Sequence, residues 1–202
     1  MNTIIVADFD QTLIRQNTLL TLYRRLTHAP LLFSVILALI KGRWPRNGLR
    51  TVIKEEMYRH MLRGKSESQL ANAGQEIARH ITLNEPVVSR VRQFQEQGYP
   101  LIVASASLTQ VVEAILRDKG LAFVRVIGSR AEIENGKMNG RLIHGECFGK
   151  TKAHRIRQLR HAAYPGTKMI AFGNWPDDKP LLVDADEAYI VTGNAIKPWK
   201  AR

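Results

Sequence analysis

Short apolar runs that stop abruptly at polar residues constrain this chain more than any other feature. Thr3-Ile4-Ile5-Val6-Ala7 is too short for a helix, is β-branched and apolar, and gives way at once to Asp8, the pattern of a buried strand. Pro100–Ala104 and Lys168–Phe172 repeat it, and Ala122–Ile127 and Ala188–Val191 are further candidates. Between them lie helical periods. Val87, Val88, Val91 and Phe94 predict a helix over Glu85–Gln97, closed by Gly98. Val111, Val112, Ile115 and Leu116 predict one over Leu108–Lys119, closed by Gly120. Lys150–Ala163 is basic and amphipathic. Strands alternating with helices predict an α/β fold with a parallel sheet covered on both faces. The stretch Gln16–Ile81 holds no convincing strand and reads as a helical insertion after the first strand. Asn135-Gly136 and Asn139-Gly140 predict tight turns in a small hairpin arm before the Lys150 helix.

The 202 residues suffice for one domain with a sizeable insertion. An apolar fraction of 45% and a charged fraction of 24% exclude a disordered or fibrous chain. Cys147 is the single cysteine, which excludes an internal disulfide and fits a reducing compartment; it reads as a small buried residue. Met1–Asp8 lacks the basic flank of a secretory signal. The longest apolar run, Leu31–Ile40, is interrupted by Ser34 and is shorter than the roughly 20 residues a spanning helix needs. The expectation is a cytoplasmic protein, or one peripheral on the inner face of the cytoplasmic membrane. Most of the net charge of +12 lies between Arg15 and Lys65, where eleven Lys and Arg face only Glu55 and Glu56. Such a region attracts anions: phosphorylated small molecules, anionic lipid or nucleic acid.

Ligands of open α/β sheets bind beyond the carboxyl ends of the strands. There the sequence places Asp8-Phe9-Asp10-Gln11-Thr12, Ser105-Ala106-Ser107, and Gly173-Asn174-Trp175-Pro176-Asp177-Asp178, with Lys150-Thr151-Lys152 opening a basic helix. Two carboxylates two residues apart can divide the work of phosphoryl transfer. Asp8 can attack phosphorus, and Asp10 can protonate the leaving oxygen and then deprotonate water. Mg2+ would quench the repulsion between carboxylate and phosphate. Ser105 can hydrogen-bond a phosphoryl oxygen, with the backbone N–H groups after it, Ala106 included, assisting. A lysine would supply the remaining positive charge.

Asp8-Phe9-Asp10-Gln11-Thr12-Leu13, Ser105 after a strand, the lysine and the Gly173–Asp178 loop together resemble the four motifs of the haloacid dehalogenase superfamily. Ile102–Ser107, and Gly136–Gly140 leading to Cys147-Phe148-Gly149-Lys150-Thr151-Lys152, are most similar to its phosphoserine-phosphatase-like branch, subclass IB. The resemblance implies a Rossmann-like core, residues 1–14 and 82–202, with a helical cap at 15–81 inserted after the first strand. It also implies a magnesium-dependent phosphatase working through an aspartyl-phosphate. Asp8 would be nucleophile and metal ligand; Asp10 would be acid/base and ligand through its carbonyl. Ser105 and Ala106 would bind phosphate. Lys152 would be the family lysine, since the pattern is Cys-x-Gly-x-x-Lys. Asn174 and Asp178 would complete the metal set. One departure stands out: the family pattern Gly-Asp-x-x-x-Asp here reads Gly173-Asn174-x-x-x-Asp178, so one ligand carries no charge.

Alternatives stay open at several positions. Lys150 competes with Lys152. Asn174 could be a plain turn residue, leaving a module that binds phosphorylated ligands without turning them over. Ser105 could cap the next helix, although Ser107 lies better placed for that. The six histidines, without metal-ligand spacing, read as surface residues, and Trp44, Trp175 and Trp199, each beside a proline, as loop anchors. Pro30–Lys41 reads as a buried helix of the insertion, or as a segment dipping into a bilayer. With Lys41-Gly42-Arg43-Trp44-Pro45 after it, it is loosely similar to the phosphatidylglycerophosphatase C group. That similarity implies a lipid phosphate such as phosphatidylglycerophosphate; a soluble phosphomonoester such as phosphoserine is the alternative. No nucleic-acid motif or interleaved aromatics accompany the basic stretch, so nucleic acid is not expected.

Overall fold

The structure, a computed structural model, describes residues 3–27, 36 and 49–200. A six-stranded sheet runs in the order β3-β2-β1-β6-β7-β8. The strands are β1 (Thr3–Asp8), β2 (Leu101–Leu108), β3 (Arg125–Ser129), β6 (Lys168–Asn174), β7 (Glu187–Thr192) and β8 (Ala195–Trp199). The first five are parallel and β8 returns antiparallel along β7. A separate hairpin joins β4 (Ala131–Glu134) to β5 (Lys137–Leu142). The helices are α1 (Thr18–Leu26), α2 (Leu49–Leu62), α3 (Glu67–Ala78), α4 (Glu85–Glu96), α5 (Thr109–Asp118), α6 (Gly149–Ala163) and α7 (Lys179–Val183).

Alternation along β1 decides which face each helix covers. Ile5 and Ala7 pack with Val87, Val88 and Val91 of α4 and Val111, Val112 and Ile115 of α5. Ile4 and Val6 point the other way, onto Ile156 of α6 and Leu181 and Leu182 of α7. All these side chains are almost fully buried, and each large one contributes about 1.5–3 kcal/mol by leaving water. The expected parallel α/β fold is therefore present. The described part of the stretch from Gln16 to Ile81 is helical, as expected. There α2 lies against β5 and α3 against α5. The α3–α5 contact depends on Gly74, where an added Cβ would come within 3.0 Å of the Ala114 Cβ. Pro30–Lys41, apart from Ile36, and Trp44 fall outside the described residues. Among the described residues, no helix is long and apolar enough to cross a membrane.

Several local expectations need correction. β2 does not stop at Ala104 but continues through Ser105, Ala106 and Ser107 to Leu108, with its register on β3 shifting between Ala104 and Leu108. Ser107 therefore caps nothing: Leu108 holds the N-cap position of α5, without a side-chain bond. β3 begins at Arg125 rather than Ala122. Asn135-Gly136 forms the hairpin turn, both residues at positive φ, but Asn139-Gly140 lies inside β5. Gly140 is needed there for close approach, since a Cβ would meet the Arg59 Cα at 3.0 Å. Trp199 ends strand β8 rather than anchoring a loop. Pro198 lies within this strand, which an edge strand tolerates because its outer N–H needs no partner.

The chain leaves β1 to build β2 and β3 on one side, then returns to place β6 on the other. The order reverses at β1, and a crevice opens beyond its carboxyl end.

Candidate active site

Three strand ends and one helix start converge on that crevice. Asp8 is the last residue of β1, and Lys152 projects from the first turn of α6. The Lys152 Nζ donates to Asp8 Oδ1 at 2.5 Å and to Asp178 Oδ1 at 2.6 Å. All three side chains are 6% exposed or less. The Thr12 hydroxyl donates to Asp8 Oδ2 at 2.9 Å, so both oxygens of Asp8 are held. Asp178 precedes α7, and its Oδ2 accepts the Asn174 N–H at 3.1 Å. Gly173 is required beneath it, because a Cβ there would lie 2.7 Å from the Asp178 Cβ.

Asp10 is held differently. Its Oδ1 accepts the Thr18 backbone N–H at 2.6 Å, and its Oδ2 accepts the Ser107 hydroxyl at 2.6 Å. No cation bonds to it among the described residues. Its backbone oxygen accepts the Asn174 side-chain amide at 3.4 Å. Ser105 is fully buried, and its Oγ accepts the Ser107 N–H at 3.0 Å. The Ala106 carbonyl accepts the hydroxyls of Ser129 at 2.6 Å and Tyr58 at 3.4 Å.

The site is overloaded with acid. Burial, and then the neighbouring Asp8 charge, push the Asp178 carboxyl up to about 7, although Lys152 pulls the other way. Burial raises Asp10 as well, against the hydrogen bonds from Ser107 and Thr18 that favour its anion. Burial alone would depress Lys152, but the facing carboxylates of Asp8 and Asp178 raise it above its ordinary value. It stays a cation at any physiological pH.

Every sequence-predicted site residue thus lies at this edge, and the choice between lysines falls to geometry: Lys152 is buried among the carboxylates, whereas Lys150 is exposed. Thr18, Ser107, Tyr58 and Glu146 were not foreseen as members. Ser107 could have been found, since residues 105 and 107 share a face once the strand is extended. No local signal marks Thr18, which lies eight residues past Asp10 at the head of α1. Beside the site, a cavity of about 680 Å³ is lined by Lys54, Tyr58, Arg141, Glu146 and Phe148 among others. Lys54 pairs with both Glu146 oxygens at 2.8 Å, and Tyr58 donates to Glu146 at 3.1 Å. Burial and the Glu146 charge raise the Tyr58 phenol well above its ordinary value.

The profile of the haloacid dehalogenase-like hydrolases matches residues 5–183, from β1 through α7. The chain belongs to this family. No curated protein sequence matches it. Among solved structures, a HAD family hydrolase from Salmonella enterica subsp. enterica serovar Typhi is 18% identical. It has a TM-score of 0.64, with 91% of this chain and 60% of that one covered, so this chain spans under two thirds of that protein. A protein of unknown function from Bordetella pertussis Tohama I is 18% identical, with a TM-score of 0.73 and coverage of 93% and 89%. A phosphoserine phosphatase solved as a phospho-aspartyl intermediate analogue is 16% identical, with a TM-score of 0.62 and coverage of 93% and 85%. At these identities the shared property is the fold.

Family membership brings a metal into question. Among the described residues, no group of three or more His, Cys, Asp or Glu side chains could hold a metal ion. What the crevice offers is oxygen: the Asp8 and Asp178 carboxylates, the Asp10 carbonyl and the Asn174 amide. Hard oxygen donors with surplus negative charge suit magnesium, which keeps several waters and needs few carboxylates. The donor set fits, with one charge fewer than the family pattern.

Proposed function

We propose that this hydrolase cleaves phosphate monoesters through a covalent aspartyl-phosphate on Asp8. The arrangement of Lys152 between Asp8 and Asp178, with Asp10 two residues away and bonded to no cation among the described residues, carries this reading. An Asp8 oxygen attacks phosphorus as the bond to the leaving oxygen breaks, and protonated Asp10 gives its proton to that oxygen. Water then attacks the same phosphorus. Asp10, now a carboxylate, takes the water's proton, the bond to Asp8 breaks, and inorganic phosphate departs. Lys152, raised and permanently charged, offsets the anionic transition state from its fixed position. Ser105 and the Ala106 backbone N–H orient the phosphoryl oxygens. Magnesium, held by Asp8, the Asp10 carbonyl, Asn174 and Asp178, would contribute Lewis-acid charge neutralisation. The fold shared with a phosphoserine phosphatase trapped as a phospho-aspartyl analogue supports the covalent route.

Residues 1–14 and 82–202 form the catalytic core in this reading, and 15–81 the helical cap over it. The substrate is a small or lipid phosphate monoester whose alcohol occupies the cavity beside Tyr58 and Glu146. Phosphatidylglycerophosphate is the lipid candidate, and contact with an anionic membrane would follow from the basic insertion. A substrate panel with magnesium, run on wild type and Asp8→Asn, tests the reading. Magnesium-dependent phosphate release that vanishes in Asp8→Asn supports it, and an inert wild type defeats it. One observation favours a second reading: the Asn174 amide donates to the Asp10 carbonyl, covering an oxygen the metal would use. If wild type is inert and Asn174→Asp is active, the chain is a phospholigand-binding module.

A further inference from the structure

We propose that Ser107 is the positioning residue for the Asp10 carboxyl and that, with Thr18, it determines which oxygen carries the transferable proton. This rests on the reading of Asp10 as general acid and base. Asp10, Thr18 and Ser107 come from three segments: the loop after β1, the start of α1 and the end of β2. The Thr18 N–H reaches Asp10 Oδ1 and the Ser107 hydroxyl reaches Oδ2, each at 2.6 Å. The two hydroxyls are themselves 2.5 Å apart, with either able to donate. Thr18 is 1% exposed and Ser107 6%, so water does not substitute for these partners.

The two donors differ in kind. A backbone N–H only donates, so Oδ1 stays an acceptor in both protonation states. A hydroxyl donates and accepts. When Asp10 is ionised, Ser107 donates to Oδ2 and accepts from the Thr18 hydroxyl. When the proton resides on Oδ2, Ser107 can turn and donate to Thr18 instead. The proton therefore belongs on Oδ2, where the Ser107 hydroxyl can meet either protonation state of the carboxyl. Ser107 also donates its N–H to Ser105 Oγ, which ties the acid to the phosphate-binding strand. Thr18 ties it to the insertion, whose first helix it opens.

The test compares a leaving group that needs protonation with one that does not. In wild type, Asp10→Asn, Ser107→Ala and Ser107→Thr, kcat and KM are measured with magnesium on an alkyl phosphate and on p-nitrophenyl phosphate. General acid catalysis is worth roughly 10²–10⁴-fold. Ser107→Ala should lose about 10–100-fold in kcat/KM on the alkyl phosphate and under about threefold on the nitrophenyl ester, because kcat/KM reports the steps through leaving-group departure and excludes the hydrolysis that both esters share. Ser107→Thr should recover most of the loss. Should Ser107→Ala fail to fold, Thr18→Val, which keeps the N–H and deletes the hydroxyl, serves in its place with the same selective loss expected. Equal losses on both esters, or none, while Asp10→Asn remains selective, would overturn the Ser107 role alone. Absence of selectivity in the kcat/KM of Asp10→Asn itself would overturn the acid/base reading beneath it.

Discussion

Asp8 and Asp10 stand two residues apart at the end of one strand, yet their surroundings have little in common. Asp8 is sealed in, with Lys152 on one oxygen and Thr12 on the other. Asp10 is touched by neutral donors only among the described residues, one of them from a helix start and one from a strand end. A cation stands at bonding distance from Asp8 and leaves its carboxylate aimed into the crevice. Burial, working against hydrogen bonds that favour the anion, leaves Asp10 raised, able to hold a proton and give it up. The same residue type acquires two capacities from what the fold packs beside each carboxylate.

Removing the first member of the pair should cost the most. Asp8→Asn should abolish phosphate release, a loss of roughly 10⁴-fold or more, and acid-quenched wild type should carry radiolabel from substrate that the variant lacks. Removing the cation that separates the two environments comes next. Lys152→Met leaves Asp8 and Asp178 buried and facing each other without a counter-charge, which costs about 3–5 kcal/mol; denaturant unfolding should show it along with near-complete loss of turnover. Asn174→Asp tests whether the missing family charge matters. One added carboxylate should tighten magnesium by about tenfold or more, read by isothermal titration calorimetry.

A smaller effect sharpens the electrostatic half of the comparison. The Asp178 carboxyl is raised in the folded protein, so the folded state binds its proton more tightly than the unfolded chain does. Its stabilising contribution is complete below the ordinary carboxylate range and is lost as pH climbs to about 7. Without magnesium, the melting temperature of wild type relative to Asp178→Asn should therefore fall between about pH 4 and 7. The smallest effect lies at the cavity. Lys54 and Glu146 are each about one fifth exposed, and Lys54→Met should cost no more than about 1 kcal/mol in thermal denaturation.

The positions of these contrasts were unevenly legible. Runs such as Thr3–Ala7 and Lys168–Phe172 announce themselves, because a buried parallel strand must be apolar on both faces. Asp8 and Ser105 follow, because they stand immediately after such runs, and Asp10 and Asp178 because they lie in the loops that those runs open into. β8 was not legible: Pro198 and Lys197 speak against a strand, and only pairing with β7 makes one. Asn139-Gly140 looked like a turn because glycine permits one; here it lets a strand pass close to Arg59.

By itself the sequence determined the alternation of strands and helices, the helical character of the insertion's described part, and the acids at the strand ends. Those are local properties, set by the period of apolar residues and by where each run breaks. Only the tertiary structure decided that Lys152 rather than Lys150 enters the crevice, that Ser107 belongs to Asp10 rather than to a helix end, and that Thr18 completes the carboxyl's surroundings. Each of those contacts joins segments far apart or sequentially unmarked, and a hydrogen bond at 2.6 Å depends on helix rotation and strand register that no local pattern specifies.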